Sequence, residues 1–196
     1  LQSQGFKVTY LGVDKFGAVN PEDVKKAITK KTALVTIMHA NNEVGTINDI
    51  AKIGKICMEK GAHFHSDACQ SYTKVPIDVK EMNLDLLTIN AHKIHGPKGV
   101  GALFVKKGTK IAAWQSGGSH EFGLRAGTEN VSGIVGFAKA VQIANKKNVE
   151  RMAKLRDYAI SRIIENIPDV KLNGATGENR LCNNVNFSFL GIEGEG

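Results

Sequence analysis

An α/β fold, with a mostly parallel sheet sandwiched by helices, is what three observations in this 196-residue chain predict. Short apolar runs alternate with segments of helical spacing, the connections between them are brief, and three of the runs end abruptly in polar clusters. Open α/β sheets gather their ligands at such strand ends, so the clusters are where chemistry is expected.

Phe6 to Val13 reads as a first strand, weakened at Gly12 and followed by turn residues Asp14 to Gly17. Asn20-Pro21-Glu22-Asp23 is a helix start. The asparagine can accept from a free first-turn N–H, proline has no N–H to waste there, and the acids suit the positive helix end. That helix runs from Pro21 to Ile28. Ala33 to Met38 is a continuous, partly β-branched run, read as a parallel strand buried on both faces, and it stops at His39-Ala40-Asn41-Asn42-Glu43. Ile47, Ile50, Ile53, Ile56 and Cys57 have helical spacing, giving a helix from about Ile47 to Lys60 that Gly61 terminates. Ala62 to Asp67 is the third strand and ends in Asp67, Cys69, Gln70 and Ser71. Leu84 to Ile89 is the fourth, ending at Asn90, His92 and Lys93, and Val100 to Val105 is the fifth. Strand and helix alternating in this way predict right-handed crossovers.

The glycine-rich run Ser116 to Asn130 cannot be regular structure and reads as a long loop, of a length that tends to be functional. Val131 to about Ile167 is helical in pattern, interrupted near Asn145 to Asn148, with Met152, Leu155, Ala159 and Ile163 as the apolar stripe of its second half. Pro168 ends it. Val170 to Leu172 and Val185 to Phe189 read as two further strands separated by the loop Asn173 to Asn184.

Composition narrows the function classes. With 42% hydrophobic and 23% charged residues this is an ordinary soluble globular chain, one medium domain or one domain plus the start of another. The net charge of +7 comes with lysine pairs scattered over different segments, and no basic stripe is interleaved with aromatics, so nucleic acid is not an expected partner. No run approaches the ~18 apolar residues of a membrane span, and Leu1-Gln2-Ser3-Gln4 is not a signal peptide, so no membrane partner is expected either. The chain does not begin with Met, which implies a trimmed start or a piece of something longer. Cys57, Cys69 and Cys182 form no CxxC pair and are odd in number, which predicts a reducing, cytoplasmic setting.

Two motifs point elsewhere. His63-x-His65-x-Asp67 would put three ligand-type side chains on one strand face, but a metallo-hydrolase pattern needs a histidine after the aspartate, and Ala68 stands there. Gly96-Pro97-Lys98-Gly99-Val100-Gly101 lacks phosphate-loop spacing and is followed by a strand rather than a helix. The stronger combination is Asp67, Gln70 and Lys93 at adjacent strand ends with Asn42 at another. A partly desolvated lysine amine can lose its proton and attack a carbonyl. A lysine that anchors pyridoxal phosphate also needs a carboxylate at the pyridine nitrogen, a donor at the phenolic oxygen, and hydroxyl, amide or imidazole groups at the phosphate. All of these residue types are present.

His39-Ala-Asn-Asn-Glu-Val-Gly-Thr46, Asp67-Ala-Cys-Gln70, Asn90-Ala-His-Lys-Ile-His-Gly-Pro-Lys-Gly-Val-Gly101 and Gly117 to Asn130 together closely resemble the cysteine desulfurases. These are class V aminotransferase-like, fold type I pyridoxal phosphate enzymes of iron-sulfur cluster assembly. The resemblance implies that Lys93 is the catalytic Schiff-base lysine, that Asp67 pairs with the pyridine nitrogen, and that Gln70 meets the phenolic oxygen. It further implies Asn42 beside the ring and the substrate carboxylate, and His92 on the phosphate. Asn90 stands where the family usually has a phosphate-binding serine. Thr128 matches a threonine that contacts the phosphate bound in the other subunit, so a homodimer is implied. Also implied are L-cysteine as substrate and an iron-sulfur scaffold or other sulfur acceptor as partner.

In domain terms, the resemblance makes residues 1–145 the central part of the cofactor-binding large domain, and 146–196 a linking helix with the beginning of a smaller α+β C-terminal domain. The family's stacking histidine and first phosphate-binding loop would lie before Leu1 and its nucleophilic cysteine beyond Gly196. The 196 residues alone are then expected to be unable to transfer sulfur. Cys57 reads as core, Cys69 as small filler, and Cys182 stands where the family usually has proline. A selenocysteine lyase shares the lysine, aspartate and glutamine, and a non-catalytic scaffold piece is the other alternative.

Overall fold

The computed structural model describes residues 1–193. Strands β1 (Leu34–Thr36), β2 (His63–Asp67), β3 (Leu86–Asn90) and β4 (Gly101–Val105) form one sheet in that order. β1, β2 and β3 are parallel, whereas β4 returns antiparallel to β3. The β3–β4 link, residues 91–100, is shorter than the dozen residues a parallel crossover takes, so the chain can only turn back. The architecture is the α/β class read from the sequence.

Helix α1 (Pro21–Ala27) starts as expected, with the Asn20 side chain accepting from the Glu22 N–H. Helix α2 (Ile50–Lys60) is capped by Asp49, whose carboxylate accepts from the Lys52 N–H. It ends at Gly61, whose φ of 72° lets its N–H reach the Cys57 and Met58 carbonyls. Val24, Ile28, Ile50, Ile53, Ile56 and Cys57 from this helical layer pack on Phe64 and Leu87 of the sheet to form the main core. Burying Phe64 completely contributes roughly 2–3 kcal/mol.

Helix α3 (Val131–Ile143) packs Phe137 and Ala140 against Ala91 and Ile94, directly behind the β3–β4 turn. Helix α4 (Lys146–Asn166) follows after a break at Ala144, with the Asn145 side chain accepting from the Asn148 N–H. Strands β5 (Val170–Leu172) and β6 (Phe187–Phe189) form a separate antiparallel pair. No helix among the described residues is long and apolar enough to cross a membrane. The last residues of the expected 146–196 unit, 194–196, lie outside the described residues.

Three expectations change. Phe6 to Val13 is not a strand: its backbone is irregular, Tyr10 is 79% exposed, and no ladder among the described residues pairs it. A strand needs a neighbour for its N–H and C=O groups, and propensity alone supplies none. β1 is not buried on both faces, because Leu34 and Thr36 are exposed while Val35 between them turns toward the core. α2 begins at Ile50 rather than Ile47, since Ile47 is used in an antiparallel bridge to Ala40.

Candidate functional site

Register decides which side chains share a face. Thr36 pairs with His65, Asp67 with Thr88, and Asn90 lies two residues beyond Thr88, so these five residues point to the face opposite the helical layer. Their hydrogen bonds agree. His65 Nδ1 lies 2.6 Å from Thr36 Oγ1 and His65 Nε2 lies 2.9 Å from Thr88 Oγ1, a polar row across three strands. Burial lowers the His65 pKa, and the nearby Asp67 carboxylate opposes that shift only partly.

The C-terminal ends of β2 and β3 carry two of the expected residues, Asp67 and Asn90, and the adjoining turns carry three more, Gln70, His92 and Lys93. Asp67, half-buried at the end of β2, accepts the Cys69 N–H at 2.8 Å, and Gln70 follows in the same turn. β3 ends at Asn90, whose side-chain oxygen accepts the Lys93 N–H at 3.2 Å and so fastens the helical turn His92–Ile94 to the strand. That turn closes on itself through the Gly96 N–H to Ala91 carbonyl bond, 2.9 Å, and a Cβ on Gly96 would lie 2.9 Å from the Ala91 Cβ. His92 and Lys93 are exposed, so the desolvation expected for the lysine amine is not supplied by neighbouring side chains of this chain. The next residue, Ile94, is buried in the core formed with Phe137 and Ala140.

Asn42 sits in the turn after β1. Its carbonyl, with that of Glu43, accepts from the Asn184 side chain at 3.1 and 2.8 Å. Asn184 is in turn held by Arg180, a 2%-exposed guanidinium that also donates to the Asn173 and Ala175 carbonyls. Thr128 is exposed on the 116–130 loop, and no hydrogen bond among the described residues joins it to the β2–β3 cluster. The loop itself is irregular apart from one short helical turn, Glu121–Gly123, as read from its glycines.

Sequence reasoning passed over two residues behind the cluster. His39, 3% exposed, donates its backbone N–H to the Asp67 carbonyl, and its Nδ1 lies 2.9 Å from Ser71 Oγ. Burial pushes its pKa down to about 4, so it is neutral at ordinary pH and acts as a fixed hydrogen-bonding strut under the Asp67–Ser71 turn. The position of His39 and Ser71 at two abrupt strand ends was the available signal. The three-residue HxHxD reading is not assembled as a shell: His63 faces Asp85 at 3.5 Å, and both His65 nitrogens meet threonines. Burial, seconded by neighbouring carboxylates, pushes the Cys57 and Cys69 thiols up to about 11.

Known proteins resemble this chain in sequence and fold. The model of the aminotransferase class-V family matches residues 1–196. A cysteine desulfurase IscS from Dictyoglomus turgidum is 52% identical over 198 residues, covering 100% of this chain and 50% of the relative. Among solved structures, a NifS-like protein superposes with a TM-score of 0.88 at 37% identity, over 99% of this chain and 54% of its own. SspA in complex with cysteine gives 0.85 at 38% identity, over 96% of this chain and 52% of its own. The chain spans about half the length of the curated relatives it matches. Along its whole length, the chain belongs to the class-V aminotransferase family.

Proposed function

We propose that the protein carrying this chain is a pyridoxal phosphate-dependent cysteine desulfurase, converting L-cysteine to L-alanine while an enzyme thiol takes the sulfur as a persulfide. The observation that carries this reading is the delivery of Asp67, Gln70, Asn90, His92 and Lys93 to the neighbouring ends of β2 and β3. The donor set fits the cofactor: a carboxylate, an amide and an amine for the ring, and an imidazole and a second amide for the phosphate. When bound, the cofactor supplies an electron sink for the substrate Cα.

The chain's own residues then divide the work. Lys93 holds the cofactor through its amine and moves the proton at the substrate Cα. Asp67 keeps the pyridine nitrogen protonated, and the His39–Ser71 strut keeps Asp67 in place. Gln70 would meet the phenolic oxygen, Asn42 would serve the ring and the substrate carboxylate, and His92 and Asn90 would hold the phosphate. Thr128 serves the phosphate of a second subunit in a homodimer. Residues 1–145 belong to the large domain and 146–196 open the smaller one.

The sulfur balance is closed: the C–S bond of cysteine breaks, an S–S bond forms to the enzyme thiol, and alanine takes the proton left over. Cys57, Cys69 and Cys182 are buried or half-buried thiols with raised pKa, which supports a different cysteine as acceptor. From there the sulfur passes to an iron-sulfur scaffold or another acceptor protein. In the native polypeptide, L-cysteine should yield equal amounts of alanine and protein-bound sulfane sulfur, and Lys93→Ala should abolish both. Alanine production surviving Lys93→Ala would refute the assignment.

A further inference from the structure

Beyond Asp67 and Thr88 the β2–β3 ladder stops, yet Gln70 and Lys93 lie past that point on two different connections. Lys74 spans the gap. Its Nζ donates to the Gln70 carbonyl at 2.9 Å and to the Lys93 carbonyl at 3.3 Å. Its own backbone is anchored by a 2.8 Å bond from its N–H to the Ser71 carbonyl, and Ser71 is fully buried against His39. No carboxylate among the described residues forms an ion pair with Lys74. A half-buried ammonium with no carboxylate partner is costly: burial lowers its pKa, the neighbouring Cys182 opposes that shift, and the nearby Lys93 charge adds to it. Two carbonyls from separate loops compensate part of that cost.

We infer that Lys74 is a positioning residue that ties the backbone of Gln70 to that of Lys93 where the strand ladder no longer does. This rests on the reading of Gln70 and Lys93 as cofactor residues. Lys74 touches neither substrate nor cofactor. It fixes the separation of the two side chains that do, and small misplacements of such groups are expensive in rate.

The test uses the native polypeptide stripped of cofactor and reloaded with pyridoxal phosphate. Loading is read by absorbance and by borohydride trapping with peptide mapping, and the cofactor-free proteins are compared by amide hydrogen exchange. Trapping at Lys93 in the parent protein establishes the underlying reading, and trapping elsewhere overturns that reading itself. Given trapping at Lys93, Lys74→Met, which keeps the stem and removes the donors, should slow loading by about tenfold and move the absorbance band. It should also raise exchange in residues 70–74 and 92–95 while the rest of the sheet stays protected. Lys74→Arg, which retains two donors, should recover most of the rate. Parent-like loading, band and exchange in Lys74→Met would overturn the proposal. Should that variant fail to fold, Lys74→Gln with its single amide donor decides: an intermediate rate supports the tie, and a parent-like rate and band refute it.

Discussion

The two faces of the four-stranded sheet are built to opposite specifications from the same strands. One presents Val35, Phe64 and Leu87 to the helical layer, with Phe64 and Leu87 buried. The other presents Thr36, His65, Asp67, Thr88 and Asn90, half-buried or exposed, with Thr36, His65 and Thr88 joined by side-chain hydrogen bonds. Because side chains alternate along a strand, β2 as His63-Phe64-His65-Ser66-Asp67 writes both faces at once. The lesson is a separation of duties: within β2, stability comes from Phe64 and Ser66, and chemistry from the alternating positions that end at Asp67.

The sharpest way to break this separation is to exchange the costs. Phe64→Ala should destabilise the fold by about 3–5 kcal/mol in denaturant unfolding, because it opens a cavity where α2 meets the sheet. A loss of under about 1 kcal/mol would mean that the helical layer does not hold the sheet.

Next comes pH, acting on the strut behind the site. The His39 imidazole protonates near 6.5 in the unfolded chain and only at about 4 when folded. Its contribution is therefore complete above pH 6.5 and is lost as pH falls toward 4, on the order of 3 kcal/mol in all. Thermal melts should show that slope, and His39→Gln should flatten it. An unchanged slope in the variant would place the acid sensitivity elsewhere.

On the chemical face, Asp67→Asn keeps an acceptor for the Cys69 N–H but removes the charge. It should weaken pyridoxal phosphate binding by about ten- to a hundredfold while shifting stability by under about 1 kcal/mol. A large stability loss with unchanged binding would reverse the roles of the two faces. The smallest effect concerns the thiols: at pH 7.4, alkylation of Cys57 and Cys69 in the folded chain should run at least about tenfold slower than that of a free thiol. A fast-reacting Cys69 would make it a nucleophile after all.

Much of this was legible locally. Asn20-Pro21 announces α1, Gly61 ends α2, and the Asn145 cap explains the break between α3 and α4, each through bonds made within a few residues. The lysine at the end of β3 was equally visible, as an apolar run stopping at polar residues. What the sequence hid depends on distant partners. Phe6 to Val13 has a strand's composition but pairs with no strand among the described residues. The exposure of β1 and of Lys93 follows from how layers stack, and Arg180 and Asn184 grip the Asn42 turn across more than a hundred residues of chain. Lys74 looked like one lysine among many until its two carbonyl partners came from different loops.

The most direct test of the central claim is chemical mapping of the cofactor lysine. Native polypeptide reconstituted with pyridoxal phosphate, reduced with borohydride and digested, should carry the pyridoxyl group on the peptide containing Lys93, and Lys93→Ala should carry none. Labelling of Lys74, Lys98 or any other lysine in place of Lys93 would contradict the account.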